Sequence, residues 1–201
     1  MTQNDSKHGS RTPALDAAFK DELVPLIPHL RAFARTLTGD ATAADDLAQD
    51  AVMKAWDARE SFQMGTNMKA WTFMILRNQF YSEKHRSWRQ SQLDQEAAER
   101  TLMAIDNPEA PVALDELRLS LAQLPAEQRE ALILVGAGGF AYEEAAEICG
   151  CAVGTVKSRV SRARKALHAI LDDGAYERDG GAAGDAMRSI LADAERLSTY
   201  R

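Results

Sequence analysis

The chain has 201 residues, 45% of them hydrophobic, and a formal net charge of −6. That is enough apolar material for one large or two small cores, yet no apolar run approaches the roughly 18 residues of a membrane span. The acidic balance excludes a general nucleic-acid coat protein; it fits local DNA contacts, or a protein partner.

The N-terminus, MTQNDSKHGSRTPALD, is polar and lacks the apolar centre of a secretory signal, so the expected compartment is the cytoplasm. Two cysteines, Cys149 and Cys151, and four scattered histidines do not make a metal set, and no cofactor or metal is expected. The cysteines read as small buried thiols in a turn.

Residues 1–13 are small and polar without periodicity and are expected to be disordered. From Ala14 onward Leu15, Phe19, Leu23, Leu26, Leu30, Phe33 and Leu37 recur at steps of three and four, which predicts an amphipathic helix. Pro25 and Pro28 predict a break near Val24, and Gly39 a stop after Thr38. Asp40 or Thr42 then caps a helix with Leu47, Ala51 and Ala55 inward, Val52 and Trp56 beside them. Asp45, Asp46, Gln49, Asp50 and Lys54 fall on its outer face, which from spacing alone reads as an ordinary solvated surface.

The loop SFQMGTN follows, carrying Phe62 and Met64 in a polar context and Asn67 as a helix N-cap. The next segment, MKAWTFMILRNQFYSEKHRSWRQ, sets Arg77, Lys84, Arg86 and Arg89 among Phe73, Tyr81 and Trp88. Interleaved basic and aromatic side chains suit a single nucleic-acid strand; the plainer reading is core aromatics and solvated arginines, with Trp71 in the core. Residues 91–113, rich in Gln, Glu, Ala and Asp and ending in NPEAPVA, read as a linker, part helical before Asn107. A coil of about 23 residues spans roughly 25–30 Å.

From Pro125 the pattern is a helix-turn-helix. Pro125 opens one helix, which Gly136, Gly138 and Gly139 break; Ala141–Ile148 forms a second; Gly150 makes the tight turn; a third runs from Val153 to about Leu171. Val153, Val156, Val160, Ala163, Leu167 and Ile170 line one face of that third helix. Gly154, Ser158, Ser161, Arg162 and Lys165 line the opposite face, flanked by Lys157, Arg159 and Arg164. The helix has five Lys/Arg and no Asp/Glu, against the charge of the whole chain. Such a helix suits a DNA major groove. Residues 172–201 are acidic and glycine-rich; a short helix near 186–197 is the one regular element expected there.

The fold class is therefore all-α: two small helical domains joined by a flexible linker, at 14–90 and 114–171, with the linker at 91–113 and a tail at 172–201. Three stretches resemble extracytoplasmic-function RNA polymerase sigma factors: DDLAQDAVMKAW, GTNMKAWTFMILRNQFYSEKHR and LPAEQREALILVGAGGFAYEEAAEICGCAVGTVKSRVSRARKAL. GTNMKAWTFMILRNQFY looks most like the alphaproteobacterial general-stress subgroup. The resemblance implies sigma region 2 in the first domain and region 4 in the second.

By that resemblance Asp45, Asp46, Gln49 and Asp50 dock on the clamp helices of the polymerase β′ subunit. Phe62, Met64 and Asn67 capture a flipped base of the −10 element, with Asn78, Tyr81, Lys84 and Arg86 on adjoining promoter DNA. Lys157, Ser158, Ser161 and Arg162 enter the −35 major groove, while Thr155, Arg159 and Arg164 hold phosphates. The implied partners are core RNA polymerase, promoter DNA and an anti-sigma factor, with no membrane. No nucleophile–base pair or phosphate-cradling loop suggests an enzyme. The competing readings are a sigma-like decoy that binds an anti-sigma factor, and a dimeric helix-turn-helix repressor.

Overall fold

The computed structural model of the chain describes residues 13–91 and 119–172. The expected disorder of 1–12, most of the linker and the 186–197 helix lie outside the described residues. Among the described residues there are helices and turns and no strand.

Helix α1 (Pro13–Leu23) leads through a 3-10 turn at Val24–Leu26 into α2 (Ile27–Thr38). The break falls where Pro25 and Pro28 remove two backbone donors. Gly39 ends α2 in the left-handed region at φ 75°, which a residue with a Cβ adopts only under strain. Asp40 then caps α3 (Ala41–Asp57), its side chain accepting from the Ala43 backbone N–H at 2.7 Å. A 3-10 turn (Arg59–Ser61) and a loop lead to α4 (Met68–Ser91), capped by Asn67 Oδ1, which accepts from Ala70 N–H at 2.9 Å.

Small residues let α2 and α3 pack closely. Ala44, Leu47, Ala48 and Ala51 of α3 are buried against Leu30, Phe33, Ala34 and Leu37 of α2. A second cluster under the loop holds Phe19, Leu23, Ala55, Phe62 and Met68. Phe19 meets Trp56, Phe62 and Trp71 edge-on, with ring centroids about 6 Å apart. Trp71 packs on this cluster as expected, but three assignments are corrected. Leu15 is 43% exposed, because α1 turns that side to solvent. Trp56 is 36% exposed, lying at the rim of α3. Phe62 is core, drawn in from its polar loop by Phe19 and Trp71.

In the second half, Pro125 is the N-cap of α5 (Ala126–Leu132), one residue earlier than a first-turn proline. The helix does not stop at Gly136. It widens into a π-helical segment, Ile133–Ala137, closed by Gly138 N–H donating to Ile133 O at 2.7 Å. A Cβ on Gly138 would lie 2.5 Å from Leu134 O and 2.9 Å from the Phe140 ring, so this turn requires glycine. Helix α6 (Tyr142–Cys149), the Gly150 turn at φ 62°, and α7 (Val153–Asp172) complete the helix-turn-helix. Val156, Val160, Ala163 and Leu167 bury the apolar stripe of α7 against α5 and α6.

The two halves share one hydrophobic cluster. Phe73 of α4 joins them: it stacks on Phe33 at 5.0 Å and meets Phe140 edge-on at 5.0 Å.

Candidate nucleic-acid and polymerase interface

Helix α7 presents a basic surface. Lys157, Ser161, Arg162 and Lys165 are exposed and lie within about 140° of arc on a helix advancing 100° per residue. Gly154 sits among them with nothing within 4 Å of where a Cβ would be, leaving the backbone open to close approach. Ser158 and Thr155 are half-buried, and Ser158 Oγ donates to Thr155 O at 2.9 Å. Lys157 Nζ stands 5.6 Å from the Tyr142 ring centre, so the preceding helix orients it.

The two flanking arginines are held differently. Arg159 Nη2 pairs with Glu127 Oε2 of α5 at 2.5 Å, and Nη1 points at Cys151 Sγ at 3.7 Å. Its charge is neutralised at the border of the surface. Arg164 is half-buried, with Nε and Nη2 out of solvent and without a hydrogen-bond partner. Lys165 lies on the central face, although the sequence reading assigns it no DNA contact; its spacing from Ser158, Ser161 and Arg162 is the available signal.

On α3, Asp46, Gln49 and Asp50 are exposed and Asp45 is half-buried. Asp45 Oδ1 lies 3.5 Å from Arg31 Nε, and Asp50 Oδ2 accepts from Gln79 Nε2 at 2.9 Å. This polar stripe runs on into Met53, 56% exposed, and Trp56. Sequence reasoning misses that extension, because spacing sets Trp56 beside the inward stripe and gives Met53 no role.

The loop before α4 divides in two. Phe62 is buried and Met64 packs half-buried on the same cluster. Asn67 is exposed, but its Nδ2 donates to Glu144 Oε1 of α6 at 2.5 Å. Glu144 also accepts from Ala141 N–H through Oε2 at 2.9 Å, so one carboxylate caps α6 and holds the cap residue of α4. Further along α4, Asn78, Lys84 and Arg86 are exposed. Lys84 and Arg86, two positions apart, project to nearly opposite sides of the helix, so one DNA surface meets only some of these residues.

Arg77 and Tyr81 are not solvated. Arg77 Nε donates to Glu130 Oε1 at 2.6 Å and Tyr81 Oη donates to Glu130 Oε2 at 3.2 Å. The Glu130 side chain is 0% exposed and that of Arg77 16%. Burial opposes the Arg77 charge, but Glu130 and smaller contributions outweigh it and raise its pKa. Burial first, then the Glu130 charge, push the Tyr81 hydroxyl up to about 12. Burial likewise drives the Cys149 thiol up to about 12, while Cys151 is half-buried. No group of three or more His, Cys, Asp or Glu that could hold a metal occurs among the described residues.

Residues 25–90 match the family described as Sigma-70 region 2, and residues 114–167 match Sigma-70, region 4. The ECF RNA polymerase sigma factor EcfG of Rhodopseudomonas palustris (strain TIE-1) is 48% identical over 157 residues, covering 78% of this chain and 87% of that protein. The chain belongs to the ECF RNA polymerase sigma factors. The ECF RNA polymerase sigma-E factor of Escherichia coli (strain K12) is 34% identical, covering 61% of this chain and 70% of that one. Among solved structures, the sigma factor RpoE in complex with the anti-sigma factor NepR from Bartonella quintana superposes with a TM-score of 0.70 at 48% identity. It covers 80% of this chain and 99% of that one. CnrH in complex with the cytosolic domain of CnrY gives 0.59 at 26% identity, covering 81% and 97%. No described helix is long and apolar enough to cross a membrane.

Proposed function

We propose that this sigma factor binds core RNA polymerase in the cytoplasm and directs initiation at promoters of a stress regulon. The division of labour is 14–90 for core polymerase and the −10 element, and 114–171 for the −35 element, with 91–113 as linker. The observation that carries the reading is the α7 surface: exposed Lys157, Ser161, Arg162 and Lys165 over an open Gly154, in a helix without acidic residues before Asp172. Arg and Lys there reach guanine edges and phosphates, and Ser bonds to either. Ser158 and Thr155 line the approach, and Arg159 and Arg164 at the borders turn to phosphates when DNA displaces their present surroundings.

The α3 stripe of Asp45, Asp46, Gln49 and Asp50 docks on the β′ clamp helices, with Met53 and Trp56 adding apolar contact at its end. Asn67, Met64, the exposed Asn78, Lys84 and Arg86 of α4, and the half-buried Tyr81 engage the −10 strand. Phe62 acts from beneath, by shaping the floor of the loop against Phe19 and Trp71. Base extraction has to offset a few kcal/mol of lost stacking, and the loop supplies that with Met64 above this aromatic floor. The polymerase performs the chemistry, and the sigma factor itself is not an enzyme. An anti-sigma factor controls it; the relative RpoE forms a complex with the anti-sigma factor NepR.

The test is to mix the purified chain with bacterial core polymerase and transcribe a genomic promoter library. Co-elution and a shared two-element promoter support the reading. Binding without transcription from any promoter points to a decoy, and DNA binding as a dimer without polymerase binding points to a repressor.

A further inference from the structure

Gln79 is a buried amide whose bonding is half met. It lies in α4, 5% exposed, and reaches across to α3. Its Nε2 donates to Asp50 Oδ2 of α3 and to Glu83 Oε1 one turn further along α4, each at 2.9 Å. Its Oε1 is out of solvent and has no hydrogen-bond partner. The orientation of the amide is fixed by its neighbours, since turning it over would set a carbonyl oxygen against two carboxylates. Leaving an acceptor buried and unpaired costs free energy. An apolar side chain of the same length would fill this space without that cost, so packing alone does not call for glutamine here.

The amide holds two carboxylates together at the surface. Asp50 and Glu83 are both exposed. Lys54 and Arg86 lie one turn away, yet among the described residues neither carboxylate has a cationic partner. Asp45, on the same helix as Asp50, differs: Arg31 Nε stands 3.5 Å from its Oδ1. The Gln79 amide is neutral, so it fixes Asp50 and Glu83 without cancelling either charge. Their two bonded oxygens can be no farther apart than twice 2.9 Å, which one guanidinium spans with its planar fork. Like charges held this close repel each other, and a cation arriving from solvent relieves the repulsion as it pairs with both.

We propose that Gln79 is a positioning residue of the polymerase-docking surface, and that it brings Glu83 of α4 into that surface beside Asp50. The group received there is an arginine side chain of core polymerase. This rests on the sigma-factor reading above, in which α3 supplies Asp45, Asp46, Gln49 and Asp50. The docking surface then continues from α3 onto α4 instead of ending at the edge of one helix. Surface carboxylates ordinarily lose side-chain freedom when a partner binds. Asp50 and Glu83 are already held, so less is lost on docking.

The experiment uses the full-length chain with Gln79→Met, Glu83→Gln, Asp50→Ala and the double variant of Gln79→Met with Asp50→Ala. Circular dichroism reads helix content, and a fluorescence titration at several salt concentrations reads the affinity for core polymerase. Helix content should be unchanged. Gln79→Met should bind roughly fivefold more weakly, and should lose less than that where Asp50 is already Ala. Glu83→Gln should bind roughly threefold more weakly, with a shallower salt dependence because one ion pair is gone. Unaltered affinity in either Gln79→Met or Glu83→Gln overturns the proposal. An additive loss in the double variant also overturns it, because Gln79 would then act by packing and not through Asp50. Should Gln79→Met lose helix content, Glu83→Gln decides, since Glu83 is exposed and its replacement leaves the core in place. Failure of the unaltered chain to bind polymerase refutes the sigma-factor reading and this inference with it; equal binding by the unaltered chain and the variants refutes this inference alone.

Discussion

Removing one partner of the Arg77–Glu130 pair should destabilise the chain far more than removing both. Arg77→Met keeps the length of the side chain and deletes the charge. Glu130, fully buried, then retains only the Tyr81 hydroxyl at 3.2 Å. Breaking a buried pair in this way typically costs about 3–5 kcal/mol. The lower end applies here, because Arg77 is 16% exposed and the second contact, Nη2 to Oε2, is long at 3.5 Å. We therefore expect a loss of about 3 kcal/mol for Arg77→Met and a similar one for Glu130→Leu. The double variant buries two apolar groups side by side and should lie within about 1 kcal/mol of the unaltered chain, giving a coupling of several kcal/mol. Urea unfolding followed by circular dichroism measures all four proteins. Additive single and double losses would refute the reasoning, because they would mean that neither group depends on the other for its burial.

Gly138→Ala and Gly150→Ala separate steric from conformational cost. The first drives a Cβ to 2.5 Å from Leu134 O without a positive φ and should cost about 2 kcal/mol by overpacking; the second meets open space at φ 62° and should cost about 1 kcal/mol of backbone strain. Thermal unfolding ranks them, and equal losses would show that the π turn relaxes. Cys151 should react with an alkylating reagent well before Cys149, whose thiol is buried with a pKa of about 12; peptide mapping by mass spectrometry reads the order. Tyr81 is raised from 10.0 to about 12, and a group whose folded pKa lies above its unfolded one stabilises fully below the latter. The closed packing should thus hold to pH 10 and weaken as pH rises toward 12, followed by tyrosinate absorbance and scattering. Arg162→Ala should cost roughly 1–3 kcal/mol at the −35 element and relax specificity there, measured by competition binding to cognate and scrambled duplexes; equal losses on both would make Arg162 a phosphate contact.

Local signals carried much of the architecture. Gly39 and Gly150 end their helices in the left-handed region, Asp40 and Asn67 cap theirs, and the prolines at 25 and 28 break the first long pattern, each at the position its chemistry dictates. The basic face of α7 was equally legible, since a period of 3.6 residues sorts it from the buried stripe without knowledge of any neighbour. What stayed hidden depends on contacts between distant parts of the chain. Phe62 stands in a polar loop that gives no sign of its burial, and only Phe19, some forty positions earlier, explains why it is core. The π segment from Ile133 carries no distinctive residue pattern beyond the glycines that follow it.

The same limit governs the reading of charge. In a chain carrying −6 overall, an arginine on a long basic helix and a glutamate in EQREAL both look solvated, and each taken alone is most often just that. Arg77 and Glu130 differ because the fold brings them together across 53 positions and the surrounding apolar cluster removes water from between them. Their pairing also bears on how Asn67 and Tyr81 are interpreted. As isolated positions they are candidate DNA contacts; in the folded chain they are polar groups whose bonds are already taken by region 4. On the proposed reading that Asn67 and Tyr81 meet the −10 strand, DNA has to replace the bonds that Glu144 and Glu130 make to them, so their net contribution to affinity is the difference between two sets of similar bonds.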